Sequence, residues 1–292
     1  MREPESPKPS DQRREVELSQ GVVQYRDLGS GAPIVLVHGL LVNGSVWDRL
    51  VAALSSGARC IVPELPLGSH RVPMSGRGDV TPAGVARLIA ELIERLELDD
   101  VTLVGNDTGG ALCQLVVASD HRRLGRLVLT NCDSFEHFPP PSLRPAVGLL
   151  KLPGVLASLG QLGRLRPVRS AFSLMKLTTQ PISDELVRSW LEPLRDRRIR
   201  ADLASFARAM PATDMVGAGE RLRDFDRPAL IVWGAKDPYF PYADAERLAG
   251  TLPDARLHRL DNASTFVQLD APQRLAELIG ELGAVRDRAA LS

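Results

Sequence analysis

Residues 105–110, Gly-Asn-Asp-Thr-Gly-Gly, place a carboxylate among small residues where an apolar run (101–104) meets an amphipathic one. A strand that turns sharply into a helix at Gly-x-Asp-x-Gly has the form of a nucleophile elbow. Small neighbours let the turn take strained angles and push the central side chain, Asp107, into a cleft. Asp107 is therefore a candidate nucleophile. Its plainer reading is a carboxylate at a helix N-terminus, where negative charge is favoured. Two further acids, Asp133 and Asp237, follow later apolar runs. Clustered carboxylates raise one another's pKa, so one of them could hold a proton or orient water.

The elements that must position these groups are legible as alternating patterns. Residues 15–28 read as a hairpin around Gly21. "PIVLVHG" (33–39), "RCIVPEL" (59–65), "VTLVG" (101–105), "RLVLTN" (126–131), "PALIVWG" (228–234) and "ARLHRL" (255–260) read as strands, the first a continuous apolar run of the kind buried on both faces. "SVWDRLVAAL" reads as a helix. Thr81-Pro82 supplies an N-cap and a first-turn proline for another, with Val85, Leu88, Ile89, Leu92, Ile93 and Leu96 at helical spacing. A last helix carries Leu275, Leu278, Ile279 and Leu282. Strand and helix in alternation predict an α/β fold, a mostly parallel sheet of about eight strands flanked by helices. Between 137 and 226 the alternation stops and helical patterns follow Pro139-Pro140-Pro141. This segment is expected to be a helical lid over the C-terminal edge of the sheet, where open α/β sheets bind ligands. The expected division is a disordered tail (1–14), a core (15–136 and 227–285), a cap (137–226) and a C-terminal tail (286–292).

With these motifs in order, the chain resembles the α/β-hydrolase superfamily from about residue 15 to 283. "YRDLGSGAPIVLVHG" resembles its opening hairpin, third strand and His-Gly loop, "VGNDTGGA" its elbow, and "VWGAKDPYFP" its acid loop. The branch with Asp at the elbow contains haloalkane dehalogenases and epoxide hydrolases. "LPLGSHRVPM" and "TNCDSFEHFPPP" extend the resemblance to uncharacterised actinobacterial members. The resemblance implies an oxyanion hole from the amides of Leu40 and Thr108, and Asp237 as the acid of a triad. Asp133 is the alternative acid. In such chemistry Asp107 attacks an sp³ carbon to form an ester, which activated water then hydrolyses.

The register departs from the family at the base. In "LDNASTFVQLDAP" (260–272) the position of the family's His is Thr265, and a hydroxyl is not a general base near neutral pH. His70, in the loop after the fourth strand, and His137, at the start of the cap, are candidates for a relocated base or are ordinary loop residues. His38 belongs to the His-Gly loop, His121 to a polar helix end, and His258 to a strand. Thr108 replaces the Trp with which haloalkane dehalogenases hold halide. Leu40 stands where their second donor is often Asn, and Leu41 where epoxide hydrolases carry Pro. Tyr25, Tyr239 and Tyr242 all lie outside the expected cap.

Composition narrows the partners. Lys plus Arg and Asp plus Glu are 36 each, which argues against a nucleic-acid or anionic membrane surface as the main partner. The basic residues are nearly all Arg. Lys8, Lys151, Lys176 and Lys236 are the only lysines. Cys60, Cys113 and Cys132 sit in or beside apolar runs with no metal or redox spacing, so they are expected to be reduced core residues of a cytoplasmic protein. No cofactor or metal is called for, and a small molecule is the expected ligand. Three readings stay open: a hydrolase using Asp107 covalently with slow or altered release, a lyase or isomerase using Asp107 as a proton shuttle, and a silent scaffold that binds a small ligand.

Overall fold

The computed structural model describes residues 13–289 apart from 55, 56, 75 and 77. The expected N-terminal tail therefore lies largely outside the described residues. Arg13 and Arg14, placed in that tail from sequence, instead open the first strand, where they pair with Arg26 and Tyr25. At the other end, residues 286–289 continue the last helix rather than forming a tail.

Eight strands form one sheet: β1 (Arg13–Leu18), β2 (Gly21–Gly29), β3 (Ala32–Val37), β4 (Ala58–Pro63), β5 (Val101–Asp107), β6 (Leu124–Cys132), β7 (Ala229–Gly234) and β8 (Ala255–Leu260). Their order is β1-β2-β4-β3-β5-β6-β7-β8. The first two pairings are antiparallel and the remainder parallel. The continuous apolar runs become central strands because helices cover both faces and no alternate residue meets water: Val35, Leu36, Val37, Leu103, Val104, Leu127, Val128, Ile231 and Val232 are wholly buried.

On the faces lie α1 (Asp48–Leu54), α2 (Pro82–Arg95), α3 (Thr108–Ser119), α10 (Tyr242–Thr251) and α12 (Pro272–Ala289). Thr81 caps α2 through Gly84 N–H with Pro82 in the first turn. "SVWDRLVAAL" divides at Trp47. Residues Gly44–Trp47 form a 3₁₀ turn capped by Asn43, and the α-helix begins only at Asp48. Helix α3 approaches β3 so closely that a Cβ on Gly109 would overlap the Val37 carbonyl oxygen. That approach aims the N-terminus of α3 at the C-terminal edge of β3 and β5.

Between β6 and β7 the chain forms α4 (Arg144–Leu150), α5 (Pro153–Leu162), α6 (Arg166–Ser170), α7 (Asp184–Leu191), α8 (Arg197–Ala209) and α9 (Met215–Arg221), with short 3₁₀ turns between several of them. Their apolar faces bury Leu156, Trp190, Leu194, Leu203 and Phe206. A short helix, α11 (Val267–Asp270), follows the loop after β8. Among the described residues no single helix is long and apolar enough to cross a membrane.

Candidate active site

Asp107 ends β5 with φ 55 and ψ −135, a conformation non-glycine residues rarely occupy. Such strain costs on the order of 1–3 kcal/mol and persists only where the surroundings impose it. Here β6 pairs along one side of β5, α3 starts at the next residue, and the His38-Gly39-Leu40 loop closes from above. A Cβ on Gly39 would overlap the Asp107 carboxyl, so only glycine lets the loop come so near. The Leu40 amide donates to Asp107 Oδ2 over 3.2 Å, and the nearby Thr108 amide also favours the ionised form of the same carboxyl. The side chain of Asp107 does not cap α3, so the helix-cap reading of this residue does not describe its geometry.

His38 fixes the loop. Its Nε2 accepts from Leu65 N–H at 2.9 Å, which leaves Nδ1–H to donate to the Gly39 carbonyl at 2.9 Å. Full burial lowers its pKa to about 4, so the ring is neutral and structural.

Asp107 faces a cavity of about 130 Å³, walled also by Leu40, Thr108, Asp133, Tyr239 and Thr265, with aliphatic and aromatic side chains making up the remainder. Asp107 is half-buried by surface area, and its carboxyl lies deep in the protein. Burial raises its pKa to about 7; the two amides oppose this and the nearby Asp237 adds to it. A larger hollow of about 450 Å³ beside Phe135 and Met215 is walled by none of the three carboxyls.

Asp133 follows β6 and is 1 % exposed. Its Oδ2 accepts from Thr108 Oγ1 at 3.0 Å, and its Oδ1 has no hydrogen-bond partner. Burial first, then the charge of Asp107, push its pKa well above the carboxylate range. Asp237 is held differently. It accepts from the amides of Tyr239 (2.7 Å) and Phe240 (3.1 Å) and from Asn131 Nδ2 (2.7 Å), although burial outweighs these donors and raises its pKa as well.

Thr265 is 1 % exposed, and its hydroxyl has no partner of normal hydrogen-bond geometry. It lies near enough to Asp237 to exert a small downward pull on that carboxyl, the weakest of the named contacts. The loop carrying it is pinned from below: Asn106 Nδ2 donates to the Thr265 carbonyl at 2.8 Å, and Gln268 Nε2 donates to Asn106 Oδ1 at 2.8 Å. Asn131 similarly joins β6 to β7, donating to the Gly234 carbonyl and accepting from the Gly234 amide. Gln268 stands in the Phe266-Val267-Gln268 run that matches the family framework, but Asn106 and Asn131 were not singled out from sequence, and their only signal was adjacency to Asp107 and Cys132.

The two histidines considered as relocated bases are engaged elsewhere. His70 is buried with Nε2 3.1 Å from Asp202 on α8, and His137 Nδ1 lies 2.7 Å from Asp244 on α10. Neither walls the Asp107 cavity, and no His, Lys or Arg does so among the described residues. The physical reason is that each ring has found a carboxylate partner in a neighbouring element. The described residues also hold no cluster of His, Cys, Asp and Glu that could ligate a metal.

The family model described as alpha/beta hydrolase family matches residues 34–278. Haloalkane dehalogenase 2 of Mycobacterium tuberculosis is 31 % identical over 274 residues, covering 90 % of this chain and 92 % of that protein. A 2-hydroxy-6-oxononadienedioate/2-hydroxy-6-oxononatrienedioate hydrolase of Pseudomonas putida is 25 % identical, covering 88 % and 90 %. The solved structure of the epoxide hydrolase CorEH superposes with a TM-score of 0.75 at 17 % identity, covering 93 % of this chain and 98 % of that one, a likeness of fold. The chain belongs to the alpha/beta hydrolase family.

Proposed function

We propose that this protein is a hydrolase that takes a small, mostly apolar electrophile into the cavity beneath its cap and attacks it with Asp107. The carboxylate forms an ester with an sp³ carbon. Water then adds to the ester carbonyl, whose developing oxyanion takes the Leu40 and Thr108 N–H donors. The observation that carries this reading is the strained Asp107 carboxyl held by those two amides at the wall of an apolar cavity. Residues 137–226 act as the cap that admits and desolvates the substrate. Thr265 replaces the imidazole that would activate water, so release of the product is the slow half of the cycle.

The experiment is intact-mass measurement of the protein after exposure to small haloalkanes and epoxides, with Asp107→Asn as the control. A covalent adduct on the wild type that is absent from the variant supports the reading. A wild type that consumes reagent without ever being labelled, or a labelled variant, overturns it. A second reading, proton shuttling in a lyase or isomerase, draws on the Asp107 pKa of about 7, a value suited to proton transfer. Product formed without oxygen from isotopically labelled water would favour it.

A further inference from the structure

Asp107 and Asp133 wall the same cavity as Thr265, Asp237 lies beside Thr265, and the three carboxyls are not equivalent. Asp107 has the Leu40 amide as a donor and the Thr108 amide nearby, and both favour its ionised form. Asp237 has two amides and the Asn131 side chain. Asp133 has a single hydroxyl, that of Thr108; its second oxygen is buried and unpartnered, and the residue walls the same cavity as Asp107. No cation walls that cavity among the described residues. A buried carboxyl so placed is stable as the neutral acid, which lets Oδ1 carry a proton into the cavity. The charged or titratable groups that bear on Asp133 are Asp107 at the wall of the same cavity, Cys132 beside it in the chain, and Asp244 on α10, itself paired with His137. Both acidic neighbours favour keeping the proton. The two carboxyls come from adjacent strand ends, since Asp107 pairs in register with Cys132.

We infer that Asp133 is the acid–base group of this site: it gives its proton to an oxygen leaving group and then, as carboxylate, takes one from the water that releases the ester. This deepens the Asp107 reading and rests on it. For an epoxide the steps balance. The Asp107 carboxylate forms a C–O bond as the ring C–O bond breaks, and the ring oxygen takes the Asp133 proton to become a hydroxyl. Asp133 is now ionised. It removes a proton from water as the water oxygen bonds to the ester carbonyl carbon. The tetrahedral intermediate collapses with cleavage of the carbonyl carbon–oxygen bond to the substrate, whose alkoxide takes the remaining proton of the attacking water. The diol leaves, with Asp107 ionised and Asp133 protonated as at the start.

A halide leaves without a proton. An alkyl bromide therefore esterifies Asp107 while Asp133 stays protonated, and the site is left with no base. The leaving group of the first half-reaction thus decides whether the second can proceed.

The test compares 1,2-epoxybutane with 1-bromobutane on the full chain, following by intact mass both the Asp107 adduct and the oxygen that labelled water leaves in the Asp107 carboxyl on release, and measuring the diol directly as product. With wild type at about pH 6.5, the epoxide adduct should be transient and yield diol, while the bromide adduct persists and is shed faster as the pH is raised towards about 9. In Asp133→Asn, which keeps an acceptor for Thr108, the ratio of epoxide to bromide labelling rates should fall ~100-fold, within the usual range for loss of a general acid. Equal lifetimes of the two wild-type adducts, or an unchanged labelling ratio in the variant, would overturn the role of Asp133 and leave Asp107 standing. If neither reagent labels the wild type, the Asp107 reading fails and this one with it. The two wild-type lifetimes decide the matter even if the variant does not fold.

Discussion

The Leu40 amide and Asp107 Oδ2 meet at 3.2 Å across the mouth of the site, although they are 67 residues apart in the chain. The relationship links two strands, β3 and β5, through a glycine at 39 that leaves no side chain between them. Donors aimed at this oxygen before any substrate arrives cost no reorganisation when charge develops there, which is the physical basis of oxyanion stabilisation.

The first prediction concerns the same carboxyl. With a pKa raised from 3.8 to about 7, folded Asp107 holds a proton that the unfolded chain has already lost between those values. The folded state therefore loses relative stability as pH rises from about 4 to about 7. Asp107→Asn should be equal to wild type near pH 4 and more stable above pH 7. At about 1.4 kcal/mol per pKa unit the ceiling is roughly 4 kcal/mol, and water reaching the cavity brings the expected gain to on the order of 2 kcal/mol. Urea melts at several pH values measure it; a gain that grows as pH falls would contradict the account. Labelling of wild type by bromide should rise through the same pH range, because only the carboxylate attacks.

Thr265→His should supply what the site lacks. The Thr265 hydroxyl is unpartnered and near Asp237, so an imidazole there has a carboxylate positioned to orient it. The bromide-derived adduct should then be shed at least ~10-fold faster at about pH 7.5, read by intact mass, while its formation changes little. Overfilling the loop could cost about 1–3 kcal/mol, which a thermal melt would report separately. An adduct as long-lived as in wild type would show that an imidazole at this position has no route to the ester.

How much of this was readable beforehand depended on the range of the interaction. The central strands and the strand-to-helix turn at Asp107 were legible because burial on both faces leaves continuous apolar runs, and because small residues flank a position that takes strained angles. The cap of α2 was legible because Thr81 and Pro82 act within one turn. What depended on distant pairing was not. His70 finds Asp202 132 residues away and His137 finds Asp244 107 residues away, and neither loop announces its partner. The Asn106–Gln268 and Asn131–Gly234 ties across the strand ends were invisible for the same reason. The break at Trp47 was missed because helical periodicity does not separate a 3₁₀ turn from the α-helix it precedes.

Those paired histidines give a third prediction. If they are structural, His137→Gln and His70→Gln should leave the lifetime of the Asp107 adduct within about 3-fold of wild type. His70→Gln should still cost stability, roughly 1–3 kcal/mol, because it breaks a buried contact to Asp202 that also accepts from the Met74 amide. Denaturant melts paired with adduct lifetimes separate the two effects. A tenfold longer lifetime in either variant would return that histidine to the list of bases.

Asp270 joins the helical segment between β6 and β7 to the loop that holds Thr265. Its carboxylate accepts from the Thr179 amide at 2.9 Å, the Thr179 hydroxyl at 3.0 Å and the Ser264 amide at 2.8 Å. Beside it, the Phe266 amide donates to the Leu177 carbonyl, and both residues wall the cavity. Hydrogen bonds to a charged acceptor contribute about 1.5–3 kcal/mol each when deleted singly, and deleting one shared acceptor releases all three donors together. Asp270→Ala should therefore lower global stability by about 2–4 kcal/mol, and it should also loosen residues 177–179 selectively. Amide hydrogen exchange would show protection lost at Thr179, Ser264 and Phe266 ahead of the sheet. With the cap edge loosened, water reaches the cavity more freely, and labelling of Asp107 by bromide should slow because a better-hydrated carboxylate is the weaker nucleophile. Unchanged exchange at Thr179 and Ser264 would mean that the helical segment between β6 and β7 is held to the sheet by its apolar face alone.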